Sequence, residues 1–289
     1  MLDMKTIFRI ILFLFFPLKL FGTAQVPDVI IYKGDTLSLN AFPLNFYPDK
    51  ELINTKTLFE SKIGPCCTCC WRGYIAVWEI IDNKLYLTKI KNYCYLSYTR
   101  DIESYNKVGI GIDSIGLEFA DLKLLFPDRY ENGKVRADWV NGKLFSPQGN
   151  LLFYFQDGSE NIYERELEFN FENGLLIGTE QLDNSKTKKS KYTEDLKLLT
   201  EFIYSNINYD NLPKSDTIKG SVSVRVISSD DNGKIDSVVV IKGINKLYDD
   251  EAVRVIKSIP EWDVIYRHGK RTNQIWNIPI KFDMTEKKE

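Results

Sequence analysis

Alternation with a period of two, broken by Asn-Gly and Asp-Asn pairs, constrains this chain more than any other feature. In "IYERELEFNF" (162–171), Tyr163, Arg165, Leu167, Phe169 and Phe171 share one side, and Glu164, Glu166, Glu168 and Asn170 share the other. A helix would scatter these two sets around its axis, whereas a strand separates them. The pattern predicts a half-buried antiparallel strand with its carboxylate row in water. "WRGYIAVWEIIDNKLYLTKI" (71–90) alternates on both sides of Asp82-Asn83, a pair that tolerates the positive φ of a hairpin turn. Further turn signals stand at Asn132-Gly133, Asn141-Gly142, Asp157-Gly158 and Asn173-Gly174. "DLKLLFPDRY" predicts a short helix ending before Pro127. Sixteen Tyr, 17 Phe and five Trp add to the strand tendency. Residues 25–183 are therefore expected to form a β-rich antiparallel domain.

The pattern changes after "DNSKTKKSK", where residues 184–191 are polar and basic and are expected to be an exposed linker. Beyond it, Leu196, Leu199, Ile203 and Ile207 fall on one helical stripe, with Thr193 as the expected N-cap. "SVSVRVI" puts Val222, Val224 and Val226 inward, and Asn232-Gly233 leads into a second strand, "KIDSVVVIKG". "DDEAVRVIKSI" is expected to be a helix with Asp249, Asp250 and Glu251 at its positive end. Its inner face is Ala252, Val255, Ile256 and Ile259, and Pro260 stops it. "NQIWNIPIKF" closes the chain as a strand with Trp276, Ile278, Ile280 and Phe282 on one face. Pro279 cannot donate to a ladder and marks this strand as an edge. The whole reads as α+β: a β-rich N-terminal domain, then an α-β-β-α-β unit over residues 192–284 with a three-stranded antiparallel sheet, and a tail at 285–289.

The N-terminus carries Lys5 and Arg9, an apolar run over Ile10–Leu18, and small residues at Gly22-Thr23-Ala24. This is the layout of a signal peptide over residues 1–24, with cleavage before Gln25. Pro17 and Lys19 interrupt the run short of the roughly 20 apolar residues a spanning helix needs. The mature chain is therefore expected to lack a transmembrane span and to be periplasmic or secreted. A net charge of -2 offers no electrostatic footprint for nucleic acid.

Four cysteines crowd into "CCTCC": Cys66, Cys67, Cys69 and Cys70, with Cys94 further on. Four sulfurs in five residues converge poorly on one tetrahedral zinc. The following "WRGYIAVW" reads as a strand, not the helix start that a redox C-x-x-C favours. In an oxidising compartment all five are disulfide candidates. Adjacent Cα atoms lie about 3.8 Å apart, below the usual disulfide range of about 4.4–6.8 Å. One bond within the cluster, one to Cys94 and one remaining thiol is the most economical arrangement. A thiol-redox or soft Cu(I) protein stays the alternative. His268, the single histidine, is expected in an exposed "RHGKR" turn, with no catalytic partner poised in sequence. "SSDDNGK" fails as a calcium loop at its first and twelfth positions, and Gly109, Gly111 and Gly116 do not fit a dinucleotide loop. No catalytic residue, metal site or cofactor is predicted.

Tyr209, Ile218 and Gly220, then "NGKIDSVVVIKG", "YDDEAVRVIKSIPEW" and "HGKRTNQIWNIPIKFDM" follow in an order that resembles the TonB C-terminal domain family over about 195–284. Asp210 replaces that family's proline, and Asp263 stands where it has a basic residue before proline. The long proline-rich spacer of the energy couplers is also missing. "CWRGYIAVWEI" and "LFPDRYENGKVRADW" resemble uncharacterised exported proteins of the Bacteroidota, which bring no known activity. The first resemblance implies a non-catalytic protein that binds an extended peptide by strand addition along Thr272, Asn273, Gln274, Ile275, Trp276 and Asn277. The expected partner is a segment of an outer-membrane transporter, or a second copy through the last strand. An envelope scaffold is the blander alternative.

Overall fold

The computed structural model describes residues 25–59, 68–93, 118–155, 160–212 and 219–283. The expected signal segment, Cys66, Cys67, Cys94 and Asp157-Gly158 lie outside them. The fold is mixed and strand-rich, as an α+β chain should be.

The N-terminal region contributes β1 (Asp28–Tyr32), β2 (Asp35–Leu39), β3 (Tyr74–Ile81), β4 (Lys84–Asn92), β5 (Tyr130–Glu131), β6 (Lys134–Arg136), β7 (Gly142–Phe153), β8 (Ile162–Glu172) and β9 (Leu175–Asp183). They form one sheet with the path β2-β1-β3-β4-β9-β8-β7, and β6 branches from β4 to hold β5. All pairings are antiparallel except β1 with β3. The amide of Asn40 donates to the Phe145 carbonyl at 3.0 Å, bringing β7 back beside β2. The sheet thus curls around Trp78, Phe126, Phe169 and Phe171, all buried.

Helix α1 (Thr55–Leu58) and helix α2 (Leu122–Leu125) are single turns, and Asp121 caps α2 as an acceptor for the Lys123 and Leu124 amides. The turn residues behave as their chemistry predicts at Asp82 (φ 48°) with Asn83 (φ 60°), and at Asn173 (φ 46°) with Gly174 (φ 71°). Gly174 has a second reason to be glycine, because a Cβ there would sit 2.4 Å from the Ala137 carbonyl oxygen. Asn141-Gly142 makes no hairpin. It opens β7, and the Asn141 side chain accepts from the Asn173 amide at 2.8 Å, bracing the neighbouring turn.

The C-terminal region contains α3 (Lys191–Glu194), α4 (Leu196–Ser205), β10 (Lys219–Ser229), β11 (Ile235–Lys242), α5 (Lys246–Lys257), the β12 (Ile265–Arg267) and β13 (Lys270–Thr272) hairpin, and β14 (Trp276–Asp283). Three strands pair in the order β11-β10-β14. Val222, Val224, Val226, Ile280 and Phe282 bury against Leu199 and Ile203 of α4 and Ala252, Val255 and Ile256 of α5. Burying one such side chain is worth about 1.5–3 kcal/mol.

Two helix starts differ from expectation. Thr193 lies inside α3, and α4 begins anew with Asp195 as its cap. Leu196 consequently leaves the core stripe and is 50% exposed. Helix α5 starts at Lys246 behind Asn245, whose side chain accepts two amides. Glu251 therefore sits mid-helix, where it accepts from the Asn208 amide and pairs with Arg254.

The largest difference concerns residues 184–191. Its lysines 186, 188 and 189 are exposed, as expected, but Asn184, Thr187 and Ser190 are buried. The cause is hydrogen bonding of small polar side chains across a seam. Thr187 Oγ1 donates to the Tyr266 carbonyl at 3.2 Å, and Lys188 and Val264 exchange both backbone bonds at 2.8 and 2.9 Å. The Ser190 amide and the Thr193 hydroxyl both donate to Asp263 Oδ1, at 2.8 and 2.6 Å. Asp263, the departure from the TonB-like pattern, thus anchors the connection to the C-terminal region. The segment is a pinned seam and not a free spacer.

Candidate functional site

Among the described residues, strand β14 pairs only with β10, so one of its sides is open. The Lys281 amide donates to the Tyr204 hydroxyl at 3.1 Å, away from β10. Strand alternation then turns the nitrogens of Asn277 and Pro279 the same way. Pro279 sits in the outward phase, where its missing N–H breaks no bond of the sheet. The open side therefore offers a backbone donor at Asn277, none at Pro279, and one already engaged at Lys281.

The six residues expected to form a binding strand are divided. Thr272 ends β13 opposite Ile265, Asn273, Gln274 and Ile275 connect, and Trp276 and Asn277 open β14. Beside this opening lies a cleft of about 300 Å³ between α4 and β14. Leu196, Thr200 and Tyr204 of α4 form one wall, and Trp276, Ile278 and Pro279 form the other. One of the lining residues, Trp276, has its Nε1 buried without a hydrogen-bond partner, as Gln274 in the preceding connection has its Oε1. Unpaired buried polar groups are uncommon in folded proteins. Leu196, Thr200 and Tyr204 recur every fourth residue, so a second helical stripe was visible in the sequence beside the core stripe; what it faces was not.

A larger cleft, of about 700 Å³, opens where the β12–β13 hairpin meets β7, β8 and β9. The hairpin turn is His268-Gly269, with φ of 51° and 69°. His268 Nδ1 lies 3.0 Å from Glu166 Oε2, and the His268 amide donates to the same oxygen at 3.1 Å. Asn184 Nδ2 is a third donor to it at 3.1 Å, and Asn184 Oδ1 accepts from the Gly269 amide. The imidazole stacks on Phe145, with centroids 3.9 Å apart. Burial pushes the Glu166 carboxyl up, but the hydrogen bonds from His268 and Asn184 outweigh it and hold the group below the usual carboxylate range. The solvated glutamate row is not what the structure contains, since Glu166 and Glu168 are buried, the latter paired with Lys143 at 2.8 Å, whereas His268 does stand in the expected turn with its side chain 43% exposed. Sequence periodicity shows that three carboxylates share a face; it does not show that a hairpin turn 102 positions later will meet Glu166. The arrangement holds a turn against a sheet, and we read it as a latch between the two regions.

At the cysteine cluster, Cys69 is disulfide-bonded. Cys70 is free and buried, and its Sγ lies 3.4 Å from the Tyr74 carbonyl. Burial pushes its thiol pKa up, with Arg72 opposing, which disfavours the nucleophilic thiolate. Beside it, buried Asp28 accepts from Trp78 Nε1 at 3.1 Å and the Ala76 amide at 3.2 Å, and pairs with Arg72 at 3.3 Å. Arg72 stacks on Phe42 at 3.6 Å. Among the described residues no group of three or more His, Cys, Asp or Glu could hold a metal ion, and no helix is long and apolar enough to cross a membrane.

Comparison of the chain with protein-family models, curated proteins and solved structures finds no match.

Proposed function

We propose that this chain is an exported, non-catalytic binding protein whose C-terminal region takes up an extended segment of a protein partner, in the manner its motifs share with TonB C-terminal domains. The observation that carries this reading is the apolar cleft between α4 and β14, set against the sheet's open edge. The partner backbone meets Asn277, and an apolar side chain of the partner enters the cleft. Because Pro279 and the Tyr204 bond close the rest of the edge, side-chain capture contributes more than a long backbone ladder. The layout of residues 1–24 supports export, and a segment of an outer-membrane transporter fits as partner. The pinned seam suits a fixed receptor, since a coupler reaching across the periplasm needs a long spacer.

Isothermal titration with extended peptides copied from transporter plug regions tests this. Binding by the natural protein and its loss in Thr200→Trp, which fills the cleft from an exposed helix position, is the expected result. Equal binding by both proteins refutes the assignment.

A further inference from the structure

Most charged side chains lining the cleft of about 700 Å³ at the β12–β13 hairpin already have partners. Lys143 pairs with Glu168 at 2.8 Å, Arg271 with Asp231 at 3.3 Å, and Arg267 with Glu160. Asp183 accepts from the Ser185 amide at 2.8 Å. The exceptions are Glu180 of β9 and Lys270 of β13. Both are exposed, and among the described residues neither side chain has an ion-pair or hydrogen-bond partner.

The fold puts these two charges on different walls. Glu180 stands directly opposite Glu168 across β8 and β9. Carboxylates opposed in this way repel. Lys143 neutralises Glu168 and leaves Glu180 as a surplus negative charge on the sheet wall. Lys270 follows the His268-Gly269 turn and belongs to the hairpin wall.

His268 adds a third free group. The hydrogen bonds to Glu166 keep it ionised at neutral pH, so it can only accept. Nδ1 of His268, 3.0 Å from that carboxylate, therefore carries the proton. In the neutral ring Nε2 is then an acceptor, and no described residue bonds it. Phe145, stacked on the ring at 3.9 Å and also lining the cleft, supplies apolar surface.

We propose that this cleft binds a short peptide with both ends free. The peptide's ammonium meets Glu180 and Nε2 of His268, its carboxylate meets Lys270, and each unpaired group of the walls gains a partner of opposite kind. The volume falls within the roughly 300–1,000 Å³ of small-ligand sites. Charges on separate walls suit a peptide better than a single amino acid, whose two charges share one carbon. The contacts are open to water, so the dissociation constant is about 1 mM. The site shares no lining residue with the α4–β14 cleft and does not depend on it.

Nitrogen–proton NMR titration of the full chain with trialanine tests the proposal. Free-ended trialanine should shift the Glu180, Gly269 and Lys270 amides. N-acetylation or C-amidation of the peptide should each weaken binding about fivefold. Glu180→Gln, at an exposed position, should narrow the preference for a free amino end and keep that for a free carboxyl end. Lys270→Gln should do the reverse. Thr200→Trp, which fills the other cleft, should change neither. Absence of these shifts up to about 20 mM peptide, equal binding of doubly blocked trialanine, free alanine binding as tightly, or variants that keep both preferences would overturn the assignment.

Discussion

Nδ1 of His268 lies 3.0 Å from Oε2 of Glu166, joining a hairpin turn of the C-terminal region to strand β8 of the N-terminal one. A buried carboxylate with three donors on one oxygen is well satisfied, and removing it leaves those donors unpaired. Glu166→Ala should cost about 1–3 kcal/mol in urea unfolding and raise amide exchange selectively in the β12–β13 hairpin. An unchanged hairpin would mean that these hydrogen bonds do not hold the two regions together.

The same pair sets an acid limit. The folded Glu166 carboxyl is held below its ordinary 4.5. A lowered folded value means the ionised form is favoured by folding, so this contribution is complete above about pH 4.5 and is lost as pH falls through the folded value. Glu166→Gln should therefore be less stable than the natural protein near neutrality, with the difference shrinking in acid. A difference that stays constant with pH would contradict this.

Asp28 should behave in the opposite sense. Burial raises its carboxyl from 3.8 to about 6, against the opposing pull of Arg72, Trp78 and Ala76. A raised folded value favours the protonated form, so its contribution is full below 3.8 and is lost as pH rises through about 6. Relative to Asp28→Asn, the natural protein should lose on the order of 3 kcal/mol across that window. Paired urea titrations at pH 4 and pH 7 measure it, and a difference of the other sign refutes the assignment.

The two carboxylates show what was legible in the sequence. Strand faces were readable because period-two alternation is local: Val222, Val224 and Val226 are buried as expected, and so are Ile278, Ile280 and Phe282. Turns at Asp82-Asn83 and Asn173-Gly174 were readable because their residues tolerate positive φ. Partnerships across the chain were not readable. Ser190, Thr193 and Asp263 look like ordinary polar residues until a contact spanning some 70 positions brings them together. The same holds for Tyr204, whose hydroxyl meets a backbone amide of the last strand.

The seam should resist proteolysis despite its exposed lysines. Lys188 has both backbone groups bonded to Val264, and a protease needs an extended, unbonded segment. Trypsin should cut slowly after Lys186, Lys188 and Lys189 in the natural protein. Asp263→Ala, which strips the acceptor from Ser190 and Thr193, should speed cutting there by about tenfold. Rapid cutting of the natural protein at these sites would show a loose joint.

Cys70 should stay unmodified by iodoacetamide in the native protein and react fully in denaturant, read by mass spectrometry of the peptide that contains it. Its burial and raised pKa both disfavour the thiolate. Native labelling would restore a thiol-based activity to consideration.

The binding claim is tested most directly at the Trp276 indole. Its Nε1–H is buried and unpaired in the free protein. The account predicts that saturation with a bound extended peptide shifts the Trp276 indole N–H resonance in a nitrogen–proton NMR spectrum, together with the Asn277 amide, and that Thr200→Trp abolishes both shifts. A peptide that binds while the Trp276 and Asn277 resonances stay in place would contradict it.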